Sequence, residues 1–175
     1  MKIITRGLIL LLAVGAVSCD DGGARQRPTT VLVVRHAEKA SDADDSPLTE
    51  AGVRRSQALV RVAEEAGVGA VYSSQFRRNR DTAKPLAERL GVSVTEVPVN
   101  LNNPGDYGKA LARDILEKHA GEAVVVIGHA NTVAATVEGL TGHAAPPGDI
   151  QYGDLFIVTV TPSGETRLVK AQYGF

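Results

Sequence analysis

Cysteine is nearly absent from this sequence, because Cys19 is the single example among its 175 residues. One cysteine cannot form a disulfide within the chain, and no CxxC or Cys/His spacing typical of a zinc site occurs. The Gly-rich Lys motif of P-loop proteins is missing as well. These absences exclude a disulfide-stapled scaffold, a structural zinc domain and P-loop chemistry, and they leave the region after Cys19 without a thiol nucleophile.

The sequence also lacks an excess of charge of either sign. Its 19 Lys and Arg residues nearly balance its 20 Asp and Glu residues, so the formal net charge is -1 and the pI is ≈ 6.4. Such a chain has no global attraction for nucleic acid or an anionic membrane, and any anion site must be local. A hydrophobic content of 43% and a charged content of 22% are typical of a globular protein, and the length suits a single domain.

The main apolar run lies near the N-terminus and is too short to span a bilayer. Lys2 and Arg6 precede the run from Leu8 to Val17, whereas a membrane-spanning helix needs about 20 apolar residues. A charged segment followed by a short apolar segment is typical of a secretory signal peptide. We therefore expect residues 1–18 to be a signal peptide.

Cys19 directly follows this segment, and two interpretations are open. The stretch Ala16-Val17-Ser18-Cys19 is similar to a bacterial lipoprotein box, but its small residues also suit ordinary signal cleavage. We favour a lipidated Cys19, a polar and Gly-rich tether over 19–29, and a folded domain over 30–175. The expected location is the bacterial periplasm or cell envelope, with membrane contact through the lipid anchor only.

From Thr30 onward, short Val-rich runs alternate with stretches whose apolar residues recur at helical spacing. This alternation predicts a single α/β domain, a three-layer α/β/α sandwich with a mostly parallel central sheet and a C-terminal β-hairpin. The predicted strands are 31–35, 70–73, 92–97 and 123–128, followed by the hairpin strands 155–160 and 166–170. The predicted helices lie around 59–66 and 83–90, and over 106–120 and 131–140.

Polar side chains follow the predicted parallel strands at the end where such sheets bind ligands. Arg35 and His36 follow the apolar run Val31 to Val34 of the first strand, His129 follows the 123–128 strand, and Arg78 lies four residues beyond Ser74. We expect these two His and two Arg residues to converge. Guanidinium groups match phosphate oxygens, and a neutral imidazole can attack phosphorus without a metal or a cofactor. The sequence therefore predicts a local phosphate site, to which the helix starting at Asn131 would add backbone NH groups.

The motifs that carry these residues resemble the histidine phosphatase superfamily, branch 1, which is also called phosphoglycerate mutase-like. The resemblance covers most of residues 31–140 and suggests a small exported bacterial member. Four motifs appear in order: Arg35-His36-Ala37-Glu38, Leu48-Thr49-Glu50-Ala51-Gly52, the stretch from Ser74 through Arg78 to Thr82-Ala83, and Gly128-His129.

The resemblance implies that His36 becomes phosphohistidine, while Arg35, Arg78 and His129 hold the phosphoryl group. Ala37 stands where the family usually has Gly. His119 and His143 match no motif, and we expect them to have structural or surface positions.

The general acid of the family has no counterpart at its usual place. Many members have a Glu shortly after the third strand, whereas this chain reads Leu101-Asn102-Asn103. Asp106 and Glu38 are the candidate acids. The alternatives are a helix-capping or first-turn role for Asp106 and an ion pair for Glu38.

The expected function is that of a histidine acid phosphatase-type hydrolase. It would cleave phosphate monoesters or phosphoramidates, with a phosphorylated small molecule or phosphohistidine as the substrate and no nucleic-acid partner. A phosphoglycerate mutase-type phosphotransferase is a related alternative, and a non-catalytic lipoprotein that binds a phosphorylated ligand is the alternative from another class.

Overall fold

The computed structural model describes residues 27–43, 45–100, 102–145 and 148–174. The predicted signal peptide and Cys19 lie outside these ranges, as do Leu101 and most of the predicted tether. Within them, six strands and four helices follow one another: β1 (Thr29–Arg35), α1 (Glu50–Glu65), β2 (Val68–Ser73), α2 (Arg77–Leu90), β3 (Val94–Glu96), α3 (Pro104–Lys118), β4 (Ala123–Gly128), α4 (Ala130–Thr141), β5 (Asp154–Val160) and β6 (Thr166–Gln172).

The strands form one sheet in the order β3-β2-β4-β1-β5-β6. The four strands β3, β2, β4 and β1 are parallel, whereas β5 runs antiparallel to β1 and forms a hairpin with β6. The predicted α/β class, the mostly parallel sheet and the C-terminal hairpin are therefore confirmed. The central strand β1 lies between β4 and β5, so its C-terminal end lies in the middle of the sheet.

Alternate residues of β1 enter two separate cores, one on each face of the sheet. Val31 and Val33 pack with α3 and α4, whereas Leu32 and Val34 pack with α1 and α2. A strand that is apolar at every position is expected when helices cover both faces. The two cores give the three layers that the sequence predicts.

Helix α1 begins at a cap supplied by the sequence. The Thr49 hydroxyl accepts a hydrogen bond from the Gly52 amide at 3.1 Å, which satisfies one of the free NH groups of the first turn. Helix α2 ends at Gly91, whose φ of 67° is the left-handed conformation that glycine adopts without strain. Strand β3 covers only three of the six residues predicted over 92–97, because only Val94, Thr95 and Glu96 pair with β2.

Helices α3 and α4 approach each other closely through glycine. A Cβ added to Gly108 would collide with the Ala135 carbonyl, and a Cβ on Gly139 would come 2.6 Å from the Gly108 carbonyl oxygen. The bare glycine surfaces let the two helices pack together on one face of the sheet. None of the helices in the described ranges combines the length and apolar composition of a membrane span.

Candidate active site

The two motif histidines lie side by side because β1 and β4 are neighbouring parallel strands in register. Arg35 at the end of β1 pairs with Gly128 at the end of β4, so the next residues, His36 and His129, leave the sheet together. Their ring centroids are 5.3 Å apart, and their planes cross at 67°. Both side chains are buried, with 3% and 6% of their surfaces exposed.

A backbone contact fixes the tautomer of His36. Its Nδ1 lies 2.8 Å from the Ala37 carbonyl oxygen, and a carbonyl can only accept, so Nδ1 carries the proton. The other ring nitrogen, Nε2, therefore has a free lone pair. The Ala37 amide in turn donates to the Thr82 hydroxyl at 2.9 Å, and this hydroxyl donates to the Arg78 carbonyl at 2.7 Å. Helix α2 thus holds the backbone that orients the His36 ring.

His129 has the opposite tautomer. The Arg78 guanidinium approaches its Nδ1 at 3.4 Å, and a guanidinium can only donate, so Nδ1 carries the lone pair. The proton is then on Nε2, which lies 3.1 Å from the Ser74 hydroxyl oxygen. His129 is also the N-cap residue of α4, and its amide donates to the Thr132 hydroxyl at 2.8 Å. The site therefore has one imidazole with a free Nε2 lone pair and one with an Nε2 proton.

Burial keeps both imidazoles neutral. It lowers the pKa of His36 to about 4, and the charges of Arg35 and Arg78 also lower it, against the opposing effect of the Ala37 carbonyl. The pKa of His129 is lowered to about 3 by burial first, and then by His36 and the same two guanidinium groups. At neutral pH the positive charge of the site therefore resides on the two arginines.

Arg78 is held from several sides in the first turn of α2. Its guanidinium lies over the Phe76 ring, with Cζ 4.6 Å from the ring centroid, and only 6% of the residue is exposed. The neighbouring Asn79 side-chain amide donates to the carbonyls of Ile127 and Gly128 at 3.0 and 3.2 Å. These bonds attach α2 to the end of β4, so the position of Arg78 relative to His129 is fixed by the fold.

Arg35 enters the site from β1 and contacts the loop that precedes β5. Its Nη1 donates to the Ile150 carbonyl at 2.9 Å, and its Cζ lies 4.2 Å from the centroid of the Tyr152 ring. The Tyr152 ring also faces His36, with a centroid separation of 5.7 Å. The Nε of Arg35 is buried and makes no hydrogen bond within the described part of the chain. A polar donor in this state is suited to an anionic ligand.

The Leu-Thr-x-x-Gly motif supports the loop after His36. The Thr49 amide donates to the Glu38 carbonyl at 2.9 Å, and a Cβ on Gly52 would collide with the same carbonyl oxygen. The motif therefore holds the backbone beside the site and contributes no reactive group. The contact between Gly52 and Glu38 explains why this motif needs a glycine inside a helix.

The candidate acid Glu38 forms an ion pair in this structure. Both of its carboxylate oxygens accept from the Arg55 guanidinium at 2.7 to 3.0 Å, and Arg55 also donates to the Tyr173 carbonyl at 2.9 Å. Burial is the largest single effect and opposes ionisation of Glu38, but the Arg55 hydrogen bonds, a backbone hydrogen bond and the charges of Arg55 and Arg54 together leave the pKa of Glu38 lowered. A carboxyl group with this pairing is a poor proton donor, and the ion-pair alternative describes the observed geometry.

The other candidate acid, Asp106, lies in the exposed first turn of α3. Its carboxylate accepts from the Asn103 side-chain amide at 2.6 Å. It lines a cavity of about 710 Å³ beside α3 and β3, and the residues that line this cavity include neither His36 nor His129. No hydrogen bond, ion pair or ring contact in the described ranges joins Asp106 to the two imidazoles. The first-turn alternative therefore describes its observed position.

The structure thus brings together four of the residues selected from the sequence, namely Arg35, His36, Arg78 and His129. It also adds residues that the sequence analysis gave no role: Thr82, Asn79, Arg55 and Tyr152. Thr82 lies inside a motif, so its spacing from Arg78 could have identified it. Tyr152 belongs to an irregular loop far along the chain, and no sequence signal marks it. The described residues contain no group of three or more His, Cys, Asp or Glu side chains arranged to hold a metal ion.

Comparison with known proteins agrees with the motifs. Residues 31–99 match the family model of the histidine phosphatase superfamily (branch 1). A 75-residue stretch is 32% identical to the probable phosphoglycerate mutase GpmB of Yersinia pestis (strain Pestoides F). This match covers 39% of the present chain and 35% of that protein, so the chain spans about a third of the length of the curated relatives it matches.

Solved structures with the same fold match over nearly their whole length. The protein histidine phosphatase SixA complexed with tungstate has a TM-score of 0.65 and 22% identity, and the match covers 82% of this chain and 96% of SixA. A mycobacterial glucosyl-3-phosphoglycerate phosphatase has a TM-score of 0.65 and 16% identity, with coverage of 81% and 97%. A SixA protein of Agrobacterium tumefaciens has a TM-score of 0.63 and 24% identity, with coverage of 80% and 95%. At these identities the likeness shows the shared fold.

Proposed function

Because this chain has the fold of the histidine phosphatase superfamily and residues 31–99 match its branch 1 model, we propose that the protein hydrolyses phosphate monoesters or phosphoramidates through a phosphohistidine on His36. The observation that carries this proposal is the pair of neutral, buried imidazoles with opposite tautomers between two arginines. One imidazole offers a nucleophile, the other offers a donor, and the arginines attract the anion.

The first step is the attack of His36 Nε2 on phosphorus. The lone pair forms the N–P bond while the bond to the leaving oxygen or nitrogen breaks, and the leaving group takes that electron pair. The ring is in its neutral, nucleophilic form at neutral pH because burial lowers its pKa to about 4, and the Ala37 carbonyl aims Nε2 away from the backbone. Water then attacks the phosphohistidine, the N–P bond breaks, and inorganic phosphate is released.

The two guanidinium groups stabilise charge on the phosphoryl oxygens during both steps, and His129 joins them when a phosphoryl oxygen replaces the Ser74 hydroxyl as the acceptor of its Nε2 proton. In phosphoryl transfer, most of the protein's contribution is positioning and electrostatic stabilisation of these oxygens. Helix α4 starts directly after His129, so the backbone NH groups at its N-terminus add a favourable local dipole. This division of labour needs neither a metal ion nor an organic cofactor.

The positions of Glu38 and Asp106 bear on the substrate class. With Glu38 paired to Arg55 and Asp106 bonded to Asn103, the site favours leaving groups that depart without strong acid assistance. An activated aryl phosphate releases a stabilised phenolate, and the basic nitrogen of a phosphoramidate leaves as a neutral amine after taking a proton from solvent. A simple alkyl phosphate would have to release an alkoxide. The SixA neighbour is named a protein histidine phosphatase, which supports phosphohistidine as a substrate to test first.

The experiment is hydrolysis of an activated aryl phosphate by the purified full chain with EDTA present, comparing wild type with His36→Ala. His143→Ala is the matched control, because His143 is exposed and lies outside the site. We expect His36→Ala to abolish turnover while retaining part of the tungstate affinity, and Arg78→Ala to weaken both. Equal turnover by wild type and His36→Ala would refute the proposed mechanism.

Phosphotransfer is the second candidate function, and the similarity to a probable phosphoglycerate mutase supports it. A mutase would pass the phosphoryl group from His36 to a second hydroxyl instead of water. Product analysis with a sugar acid or other polyol acceptor distinguishes the two, because a hydrolase releases one inorganic phosphate per turnover and a mutase does not. Tungstate binding without turnover of any phosphorylated substrate would instead support the non-catalytic binding protein.

We also propose that the protein is exported and anchored through a lipid on Cys19. The proposal rests on the sequence Lys2 to Cys19 alone, because this segment lies outside the described residues. We expect the wild-type protein to fractionate with membranes and Cys19→Ser to be released into the soluble fraction. A wild-type protein already found free in the periplasm would refute the anchor.

A further inference from the structure

The anion site is built from two similar halves, each with one arginine, one histidine and one aromatic ring. In one half, the Arg78 guanidinium lies 4.6 Å from the Phe76 ring centroid, and this ring is 5.1 Å from the His129 ring. In the other half, the Arg35 guanidinium lies 4.2 Å from the Tyr152 ring centroid, and the Tyr152 and His36 ring centroids are 5.7 Å apart. Phe76 belongs to the Ser74–Ala83 motif, whereas Tyr152 has no motif.

The two aromatic rings reduce the electrostatic cost of placing two arginines at one site. Arg78 lies 3.4 Å from His129, and Arg35 lies over Tyr152, whose ring faces His36, so two cations flank one pair of buried imidazoles. Like charges in such a place repel each other. The face of an aromatic ring carries partial negative charge and attracts a cation that lies over it. A ring under each guanidinium therefore offsets part of this repulsion and leaves the guanidinium positively charged, so the attraction for phosphate is kept.

The support of Arg35 depends on Tyr152 in particular. One guanidinium nitrogen donates to the Ile150 carbonyl, and the buried Nε makes no hydrogen bond within the described ranges. The orientation of the guanidinium plane is therefore set by the Ile150 carbonyl and the Tyr152 ring, both of which come from the same loop.

That loop is firmly held in place. The Gln151 amide donates to the Asp154 carboxylate at 3.0 Å, and Asp154, which is 1% exposed, pairs with Lys170 at 3.0 Å. The Tyr173 amide donates to the Gly153 carbonyl at 3.0 Å. The start of β5 and the residue after β6 thus fix the segment on either side of Tyr152, so its ring can act as a rigid support.

We infer that Tyr152 is a positioning residue that holds the Arg35 guanidinium against the phosphoryl group through the face of its ring. The inference rests on the proposed phosphate site but not on turnover. Since the corresponding ring in the other half is a phenylalanine, the ring face is what matters and the hydroxyl is dispensable.

The test compares Tyr152→Phe with Tyr152→Leu in the full chain, with calorimetric titration of tungstate as the main readout. Leu has a similar apolar character but no aromatic face, and we expect it to weaken tungstate binding about tenfold. Tyr152→Phe should rescue the affinity to near the wild-type value. The thermal midpoint of each variant verifies that the loop is still folded.

A double-mutant cycle separates positioning from a general structural effect. In the Arg35→Ala background, Tyr152→Leu should cause no further loss of tungstate affinity, because the group on which Tyr152 acts is gone. An undiminished tenfold loss in that background would overturn the inference. Equal losses for Tyr152→Phe and Tyr152→Leu would overturn it too, because they would assign the effect to the hydroxyl.

Turnover distinguishes this inference from the proposed function. A wild-type protein that binds tungstate in a Tyr152-dependent way but hydrolyses nothing would support the positioning role and contradict the phosphatase. Normal turnover of aryl phosphate by the Tyr152→Leu variant would support the phosphatase and contradict the positioning role.

Discussion

Lowering the pH from 7.5 to 5 should destabilise the folded domain, and the two buried imidazoles set the size of the effect. Burial is the first cause of the low pKa values of His36, about 4, and His129, about 3. Both imidazoles have the ordinary value of 6.5 when the chain unfolds. Between pH 6.5 and pH 4 the unfolded chain therefore binds more protons than the folded one, so the free energy of unfolding falls as the pH falls.

The magnitude follows from the two titration curves. At pH 5 each imidazole is charged in the unfolded chain and neutral in the folded one, which favours unfolding by about 2 kcal/mol per group. The pair contributes about 4 kcal/mol, a large part of the stability of an ordinary domain. Carboxylates such as Glu38, whose lowered pKa starts from 4.5, contribute little in this window because they remain ionised in both states.

Urea unfolding at pH 7.5 and pH 5 measures this difference, in buffers free of phosphate because a bound anion would stabilise the folded state. From pH 7.5 to pH 5 the free energy of unfolding should fall by about 4 kcal/mol in wild type and by about 2 kcal/mol in His36→Asn. It should hardly change in the variant that also carries His129→Asn. Comparing each variant with itself at two pH values removes any general cost of the substitution. A full wild-type loss in the double variant would refute the assignment of the effect to these imidazoles.

Three further substitutions test how the fold holds the site. Thr82→Val removes the hydroxyl that accepts from the Ala37 amide, next to His36. We expect urea unfolding to show about 1–3 kcal/mol of lost stability, and turnover to be slower. The control is Thr136→Val, because the Thr136 hydroxyl bonds within its own helix. Gly108→Ala should cost about 1–3 kcal/mol or more by forcing two helices apart, whereas Gly105→Ala meets nothing within 4 Å and should be tolerated. Glu38→Gln should lower stability by about 1 kcal/mol while the ratio of alkyl to aryl phosphate turnover stays within about twofold, and a loss of about a hundredfold confined to the alkyl phosphate would instead make Glu38 the general acid.

Much of the fold follows from patterns that are local in the sequence. The Val-rich runs and the helical spacing of apolar residues predict the strands and helices. Gly91 predicts the end of α2, because a left-handed C-cap depends only on the local backbone conformation. The order of the strands is not local. The placement of β1 between β4 and β5 depends on which faces pack together, and this placement is what brings His36 and His129 side by side.

The site could be predicted where a motif carried it and not elsewhere. His36, His129, Arg35 and Arg78 each follow a predicted strand or a motif, and the structure places them together. Tyr152 lies in an irregular loop and contacts Arg35 across more than a hundred residues of chain, so neither periodicity nor spacing could identify it.

The ion-pair partner of Glu38 could not be identified from the sequence for a related reason. The pairing of Glu38 with Arg55 requires α1 to lie against the loop after β1, and the Arg55 bond to Tyr173 requires the chain after β6 to return to the same place. The sequence left open whether Glu38 forms an ion pair or donates a proton. The geometry of α1 favours the ion pair.

The measurement that tests the central claim most directly is trapping of the phosphorylated enzyme. Radiolabelled aryl phosphate is mixed with the full chain in EDTA, and the reaction is quenched within milliseconds in alkaline detergent, because phosphohistidine survives base and is lost in acid. Wild type and His143→Asn should both carry base-stable, acid-labile label on one tryptic peptide that contains His36, and His36→Asn should carry none. Label of undiminished amount in His36→Asn, or wild-type turnover without any labelled protein, would contradict the account.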